Sequence, residues 1–311
     1  MSGSTDLPPA VRDAILAWYD ASGRALPFRA STDAYAILVS EAMAQQTQAA
    51  RAGEAWIRFM DRFPTVEALA AASPADVLRA WQGLGYNRRA LNLWRAARRI
   101  VEAFRGRVPT DLADLQSLPG VGPYTARAVA AIAFGQPVGA VDTNVRRVLG
   151  RIVAGEVGLL SPVEVQRVAD AAVPCDRAAD WTHAVMDVGA TLCRPRSPDC
   201  TACPARPWCR HAAAAASDAT GTAPGRAPTK ASPSRAAREA PAPFPTTTRW
   251  LRGRILDQLR AADDGAWVSL DGSIGVHDGT AVRRAVATLE REGLLELEPG
   301  SDGIRARLPS V

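Results

Sequence analysis

A glycine-rich turn followed by a single carboxylate is the part of this chain that points most directly to chemistry. The turn reads Leu118-Pro119-Gly120-Val121-Gly122-Pro123-Tyr124-Thr125-Ala126, and the carboxylate lies in Val141-Asp142-Thr143-Asn144-Val145-Arg146-Arg147. Gly120 and Gly122 can take backbone angles closed to other residues, and Pro123 suits the first turn of a helix. Free amides at a helix start favour an anion. The pattern predicts an anion-binding turn beside one acid.

The same residues also fit a plain helix–turn–helix joint. In that interpretation Asp142 only caps the helix that starts at Thr143. Small residues recur at helical spacing after the turn, at Ala126, Val129, Ala130 and Ala133. This spacing predicts that another element packs closely against the helix. The turn and Asp142 alone leave both interpretations open.

Four cysteines near residue 200 form a second candidate site. Cys193, Cys200, Cys203 and Cys209 give the spacing C-x6-C-x2-C-x5-C. Thiolates this close in a chain without an export signal are typical of a metal site, and the spacing leaves zinc and a four-iron cluster open. Arginines interleave with the cysteines and suit phosphate contacts, namely Arg194, Arg196, Arg206 and Arg210. The fifth cysteine, Cys175, stands apart and is predicted to be a small buried side chain.

Pro and Gly punctuate apolar residues at helical spacing and predict that residues 1–211 are all-α. Helices are expected over residues 10–19, 34–43, 49–59, 76–81 and 89–104, with another starting after Ser161. Residues 212–248 are dominated by Ala, Pro, Ser, Thr and Arg, which predicts a disordered linker. Residues 249–311 read as two helices, a short strand and a hairpin, which predicts a small winged-helix-like α+β unit.

Composition limits the classes of protein that fit. The chain has 311 residues, is 47% hydrophobic and carries a net charge of +5 with a pI near 9.2. No segment approaches the roughly 18 uninterrupted apolar residues of a membrane span, and no secretory signal is visible, so we expect a cytoplasmic, nucleoid-associated protein. The basic excess fits a polyanion partner. Lys230 is the single lysine, so residues 1–211 cannot form a lysine Schiff base.

Four motifs follow one another within residues 10–211. They read Leu26-Pro27-Phe28-Arg29, then Val39-Ser40-Glu41-Ala42-Met43-Ala44-Gln45-Gln46-Thr47-Gln48, then Gly83-Leu84-Gly85-Tyr86, then the glycine turn with Asp142 and the four cysteines. Together they resemble the helix-hairpin-helix (HhH-GPD) DNA glycosylases of the endonuclease III superfamily. The second and third motifs resemble its adenine DNA glycosylase (MutY-like) branch. The resemblance implies an all-α, two-lobed core and a [4Fe-4S] cluster on Cys193, Cys200, Cys203 and Cys209 in the loop 193–209.

The resemblance also implies catalytic roles, position by position. Asp142 matches the acid that stabilises the cationic sugar, and Glu41 matches the acid that protonates the departing adenine. Asn144 matches a residue that positions the catalytic acid. Tyr124 lies where lyase-type relatives hold a lysine. This pairing suits N-glycosidic cleavage, because that reaction needs one fixed carboxylate and one proton donor in different environments.

Other matching residues are implied to contact DNA. Gln46 and Tyr86 match residues that probe the opposite base and wedge into the base stack. The phosphates of the distorted strand are expected to lie against the amides at Gly120 and Gly122 and against Arg146 and Arg147. Plainer roles stay open for Glu41 as a solvated helix residue and for Tyr86 as a core aromatic.

The chain also departs from the branch at several positions. Ala44 replaces a larger apolar residue, Asn87 replaces a second Tyr, and Phe28 replaces a Trp. The branch's usual C-terminal Nudix-like domain, which reads 8-oxoguanine, has no visible counterpart. The winged-helix-like unit takes its place.

These observations predict a monomeric, monofunctional base-excision repair enzyme without lysine-dependent lyase activity. Its substrate would be double-stranded DNA with a mismatched or oxidised base pair, from which it removes adenine opposite 8-oxoguanine or guanine. A thymine or uracil mismatch glycosylase of the same superfamily is the first alternative. A non-catalytic DNA-binding module is the alternative from another class.

Overall fold

The computed structural model describes residues 7–219 and 243–310, and helices dominate both ranges. The helices are α1 (Pro9–Ser22), α2 (Ala34–Ala44), α3 (Ala49–Arg62), α4 (Val66–Ala71), α5 (Pro74–Ala80), α6 (Arg88–Phe104), α7 (Leu112–Gln116), α8 (Pro123–Phe134), α9 (Thr143–Ala154), α10 (Pro162–Ala172), α11 (Ala178–Asp187), α12 (Arg210–Ala219), α13 (Thr248–Ala261) and α14 (Gly279–Arg291). Every strand of the described residues lies beyond residue 260, at β1 (Val268–Ser269), β2 (Glu296–Leu297) and β3 (Arg305–Arg307). The prediction of an all-α region followed by a small α+β unit is confirmed.

The chain divides into two compact units. Among the described residues, the first unit comprises 7–41, 108–117 and 121–219, and the second comprises 42–107, 118–120 and 243–310. The domain boundaries predicted at residues 211 and 249 were drawn from changes in composition, whereas these two units are defined by contacts. The predicted boundaries therefore stay a prediction.

The first unit is built around one buried apolar cluster. Ile15 of α1, Val148 of α9 and Trp181 of α11 all belong to it, and each such side chain contributes about 1.5–3 kcal/mol of burial free energy. Helix α8 packs against α11, and Ala126 and Ala130 of α8 are fully buried. The close packing predicted from the small residues after the glycine turn is therefore observed.

In the second unit, helices α3 to α6 enclose a separate apolar core. Phe59 contacts Phe63 and Trp81 edge-on, with ring centroids 4.9 and 6.0 Å apart. Helix α4 packs along α6, whose Ile100 is fully buried. Thr65 and Ser73 cap α4 and α5 through their side chains, as the residues at these helix starts allow.

Residues 243–310 belong to the second unit and fold as helix, strand, helix and hairpin. The three strands form an antiparallel sheet in the order β1-β3-β2, with Val268 opposite Ala306 and Leu297 opposite the same residue. Leu256 of α13 and Val286 of α14 lie in the buried core of this part. The helices and the hairpin expected from the sequence are present.

Two expectations need correction. The predicted disordered linker starts too early, because α12 continues as helix through Ala219; residues 220–242 lie outside the described residues. Cys175 is exposed rather than buried, because it follows the end of α10 in a turn instead of facing the core. Within residues 7–219 and 243–310, no helix has the length and apolarity needed to cross a bilayer.

Candidate active site

Glu41 lies in an apolar environment on α2, in the first unit. The neighbouring residues Tyr35 to Val39 are buried, and Glu41 itself is only 9% exposed. Its pKa is raised to about 7, mainly by burial and further by the charge of Asp142, although a hydrogen bond from Tyr124 and the charge of Arg29 act in the opposite direction. A carboxyl group with this pKa can hold a proton near neutral pH and donate it.

Tyr124 lies in the first turn of α8, beside Glu41. Its hydroxyl hydrogen-bonds to the Glu41 carboxyl group and lies 3.9 Å from the Met186 sulfur. Burial and the charges of Glu41 and Asp142 raise the Tyr124 pKa well above its usual value. Tyr124 therefore stays a neutral hydroxyl and acts on Glu41 through a hydrogen bond.

Asp142 is the N-cap of α9, and both of its oxygens accept hydrogen bonds. Oδ1 accepts from the Val145 amide at 2.7 Å, and Oδ2 accepts from the Asn144 side-chain amide at 2.9 Å. These two N–H donors fix the orientation of the Asp142 carboxyl group at the start of α9. The two interpretations of Asp142, helix cap and chemical group, are thus compatible in the structure.

Asn144 is itself held from the far side by Arg147. The Arg147 guanidinium donates to Asn144 Oδ1 and to the Gly189 carbonyl, each at 2.7 Å, and to the Cys193 carbonyl at 2.6 Å. A Cβ on Gly189 would lie 2.6 Å from the Asn144 Cβ, so this close approach requires glycine. Arg147, predicted to hold a phosphate, here orients Asn144 and joins Asp142 to the backbone at Cys193.

A buried ion pair supports the same region. Asp187 is fully buried and accepts hydrogen bonds from Arg24 and Arg29 at 2.6–2.8 Å. These arginines hold the pKa of Asp187 below its usual value even though burial alone would raise it. Arg29 comes from the Leu26-Pro27-Phe28-Arg29 motif, so this motif supplies a positive charge close to Glu41.

The first unit therefore brings Glu41, Tyr124, Asp142 and Asn144 together. One acid is buried with a raised pKa, and the other is a carboxylate fixed by two N–H donors. Two carboxyl groups in different environments can divide proton donation and stabilisation of a positive charge between them. Such a pair can break a bond in which one fragment leaves after it is protonated and the other fragment develops a positive charge.

The glycine turn only partly matches its prediction. Gly120 has φ +81°, and a Cβ there would come within 2.8 Å of Asn92 Cβ, so this position requires glycine. Gly122 has φ −87° and ψ 178°, a conformation that other residues adopt. Gly122 is the N-cap residue of α8. A Cβ added to it would have no neighbouring atom within 4 Å. A side chain at this position would therefore meet open space, so the sequence expectation that Gly122 requires glycine is not supported by the structure.

Gln46 and Tyr86 lie in the second unit, and both have left-handed backbone angles. Their φ values are +54° and +45°, which costs energy for residues with a Cβ. Tyr86 follows Gly85 and is 47% exposed, so the structure places it at the tip of a loop rather than in a core. Arg146 is half-buried on α9, in the first unit.

Arg89 is a site residue that the sequence analysis missed. One of its terminal nitrogens, Nη1, donates to the Gln45 carbonyl at 2.5 Å, and the other, Nη2, donates to the Gly85 carbonyl at 3.3 Å. It donates further to Ala42, Met43, Thr47 and Leu84. Burial lowers the Arg89 pKa to about 10. A single guanidinium thus joins the loop of Gln46 to the loop of Tyr86.

We expect Arg89→Ala to destabilise the protein by about 2–4 kcal/mol, because several buried carbonyl oxygens lose their donor. Chemical denaturation followed by circular dichroism measures this change. Arg88→Ala is the matched control, since Arg88 is exposed on the same helix. Equal free energies of unfolding for the two variants would contradict the conclusion that Arg89 stabilises the two loops by its hydrogen bonds.

The four cysteines line one cavity in the first unit. Cys193, Cys200, Cys203 and Cys209 share it with Arg151, whose guanidinium donates to Cys193 Sγ at 3.3 Å. Burial raises the pKa of the Cys203 thiol to about 11 and also raises that of Cys209. No three of the described His, Cys, Asp and Glu side chains are placed to hold one metal ion. The thiols thus face a shared space without meeting at one point.

Comparison with known proteins gives consistent matches. Residues 39–158 match the model of the HhH-GPD superfamily of base excision DNA repair proteins. The chain is 43% identical over 269 residues to an adenine DNA glycosylase of Mycobacterium tuberculosis, covering 82% of this chain and 83% of the relative. It is 39% identical to the adenine DNA glycosylase of Mycolicibacterium smegmatis over 91% of both chains. The human adenine DNA glycosylase is 42% identical over 65% of this chain and 39% of its own length.

Solved structures share the fold of the larger part of the chain. A thermostable thymine-DNA glycosylase superposes with a TM-score of 0.62 at 29% identity, covering 65% of this chain and 95% of the other. Endonuclease III, in a trapped covalent intermediate with DNA, superposes with a TM-score of 0.57 at 25% identity, covering 66% and 95%. Each of these two matches covers about two thirds of the chain. Both matched proteins are DNA glycosylases or endonucleases that share its fold over that part.

Proposed function

Because this chain belongs to the adenine DNA glycosylase family of HhH-GPD base excision repair proteins, we propose that it hydrolyses the N-glycosidic bond of adenine mispaired with guanine or 8-oxoguanine. The observation that carries the proposal is the pairing of Glu41 with Asp142. Their charges act on each other, yet one acid has a raised pKa and the other accepts two N–H hydrogen bonds. The substrate would be double-stranded DNA from which the adenine has been rotated out of the stack.

In this proposal each acid does one task. Glu41 donates its proton to the adenine ring, so the base leaves as a neutral molecule. The Asp142 carboxylate stabilises the positive charge that develops on the sugar, and Asn144 keeps it in place. Tyr124 holds the Glu41 carboxyl group by its hydrogen bond. A water then attacks the sugar carbon, and no lysine is needed.

The DNA contacts form the second part of the proposal. We assign the opposite base to Gln46, the wedge to Tyr86, and phosphates to the amides near Gly120 and Gly122 and to Arg146. The exposed tip position of Tyr86 supports its role. The open space around Gly122, at the N-terminus of α8, supports phosphate binding at the turn.

A thymine or uracil mismatch glycosylase is the competing candidate, since a thymine-DNA glycosylase shares the fold at 29% identity. The buried acid at Glu41 distinguishes the two candidates. A pyrimidine leaves without protonation at a purine nitrogen, so that reaction needs no proton donor at this position. The raised pKa of Glu41 therefore favours adenine.

A panel of duplexes tests the proposed function. A, T, U or G is placed opposite G or 8-oxoguanine, and each duplex is incubated with the full chain and analysed with and without alkali. We expect free adenine from the adenine mispairs and strand breaks only after alkali. Release of thymine or uracil would support the competing candidate. Strand breaks without alkali would contradict a monofunctional enzyme.

We further propose that the cysteine cavity holds a [4Fe-4S] cluster bound by Cys193, Cys200, Cys203 and Cys209. Four soft thiolates around one shared space suit a cluster that takes a separate thiolate on each iron. Arg151 and the backbone amides at the sulfurs supply hydrogen bonds of the kind that tune such clusters. When bound, the cluster would pin the loop 193–209, whose Cys193 carbonyl holds Arg147.

We expect about four irons and four sulfides per chain after anaerobic purification. Cys200→Ser should lower the bound iron, because one of the four thiolate ligands is lost. Cys175→Ser is the matched control, since Cys175 is exposed and outside the cavity. Stoichiometric zinc without sulfide would contradict the cluster.

A further inference from the structure

Helix α13 of the C-terminal part contacts the loop that carries Tyr86. The Arg249 guanidinium lies over the Tyr86 ring, with its carbon 4.8 Å from the ring centroid. Arg89 lies against the same ring at 5.7 Å. Two guanidinium groups therefore hold one exposed aromatic side chain, and one of them comes from a segment about 160 residues later in the sequence.

A second arginine of α13 holds the residue next to Tyr86. The Arg260 side chain is buried and donates to Asn87 Oδ1 at 2.6 Å and to the Leu78 carbonyl at 3.0 Å. Burial lowers its pKa, so this guanidinium is held out of water by the packing around it. Burying a charged group costs free energy unless the group is paired and hydrogen-bonded, so the hydrogen bonds of Arg260 offset the cost of its burial. These bonds fix the end of the loop where α6 begins.

The loop itself needs such support. Tyr86 has φ +45°, a conformation that residues with a Cβ rarely adopt. The surrounding structure must hold a residue in this state. A further contact lies just beyond the end of α13, where the Asp264 side chain accepts a hydrogen bond from Arg79 of α5 at 3.0 Å. The C-terminal part is thus attached to the element that presents the aromatic tip.

From this geometry we infer that α13 fixes the position of Tyr86 and that Arg249 is a positioning residue for mispair engagement. The inference rests on the proposed function, because it takes Tyr86 as the side chain that enters the base stack. It gives the C-terminal part a role that does not require its own DNA-binding surface. Arg249 acts through the Tyr86 ring, and Arg260 acts through Asn87.

Single-turnover excision of adenine opposite guanine tests the inference with the full chain. We expect Arg249→Ala to lower the rate constant at saturating enzyme about threefold to tenfold, the range expected for losing a cation–π contact at a partly exposed ring. Affinity for a fully paired duplex should change less than about twofold, because initial binding rests mainly on phosphate contacts. Arg284→Ala is the control, since it also removes an arginine from the C-terminal part and Arg284 is exposed on α14.

A double-mutant cycle separates action through Tyr86 from a direct effect. Arg249→Ala added to Tyr86→Ala should cost nothing beyond Tyr86→Ala alone. Additive losses would overturn the inference, because Arg249 would then act independently of the Tyr86 ring. If the wild type excises adenine and Arg249→Ala matches it, the inference fails while the proposed function stands. If the wild type releases no adenine, the proposed function itself fails.

Discussion

Asp142→Asn is expected to lower the single-turnover rate of adenine release by about 10³-fold or more while duplex affinity stays within a few fold. The amide keeps the shape of the side chain and can still cap α9, because Asn is as good an N-cap as Asp. It cannot stabilise the positive charge that develops on the sugar. The effect should therefore fall on the chemical step alone.

Asp278→Asn is the matched control for this variant. Asp278 caps α14 through the Ala281 amide, just as Asp142 caps α9 through the Val145 amide. The two variants should unfold at similar temperatures, and only Asp142→Asn should lose excision. Loss of both DNA binding and folding in Asp142→Asn would show that this carboxylate is mainly structural.

Glu41→Gln is expected to lower adenine release by about 10²–10⁴-fold, the range for losing a general acid. Gln fits the buried position, but its amide protons are not acidic enough to be transferred to the base. Glu102→Gln is the control, since Glu102 is exposed and pairs only with Arg98 among the described salt bridges. Rates are measured under single turnover with adenine opposite guanine.

A substrate analogue checks that the proton goes to the base. A duplex carrying 7-deazaadenine lacks the ring nitrogen that would accept the proton. The wild type should bind this duplex but release no base from it. Normal release from the analogue, or wild-type rates in Glu41→Gln, would contradict the assignment of Glu41 as the donor.

The sequence motifs predicted that Glu41 and Asp142 belong to one site, and the structure brings the two acids together; their catalytic roles stay a prediction. Asp142 follows a short small-residue helix after the glycine turn, and Glu41 lies on an apolar helix, so their motifs already placed both near the chemistry. What the sequence did not give was the environment of each acid. The raised pKa of Glu41 depends on burial and on Arg29, Tyr124 and Asp142, which are distant in sequence.

The arginines were harder to assign. Arg147 was expected at a phosphate, but its guanidinium turns toward Asn144 and two backbone carbonyls. Its spacing of three residues from Asn144 on one helix was the available signal. No sequence signal marked Arg89, because most of its hydrogen-bond partners are backbone carbonyl oxygens. Every residue has such an oxygen, so no residue type identifies the partner.

The placement of the C-terminal part was likewise beyond reach from the sequence. Its helices and hairpin follow from apolar spacing and turn residues. Its attachment to the second unit depends on individual pairs such as Arg260 with Asn87 and Arg79 with Asp264. Arginine is abundant throughout this chain, so no pattern marks the few that cross between distant segments.

The pH dependence of single-turnover adenine release tests most directly whether buried Glu41 delivers the proton. The protonated acid is the active form, so the rate should be level below about pH 6 and fall about tenfold per pH unit above a midpoint near its pKa of about 7. Enzyme in excess over a guanine mispair isolates the chemical step. A rate that stays level from pH 6 to 9, or that rises across this range, would contradict proton donation by Glu41.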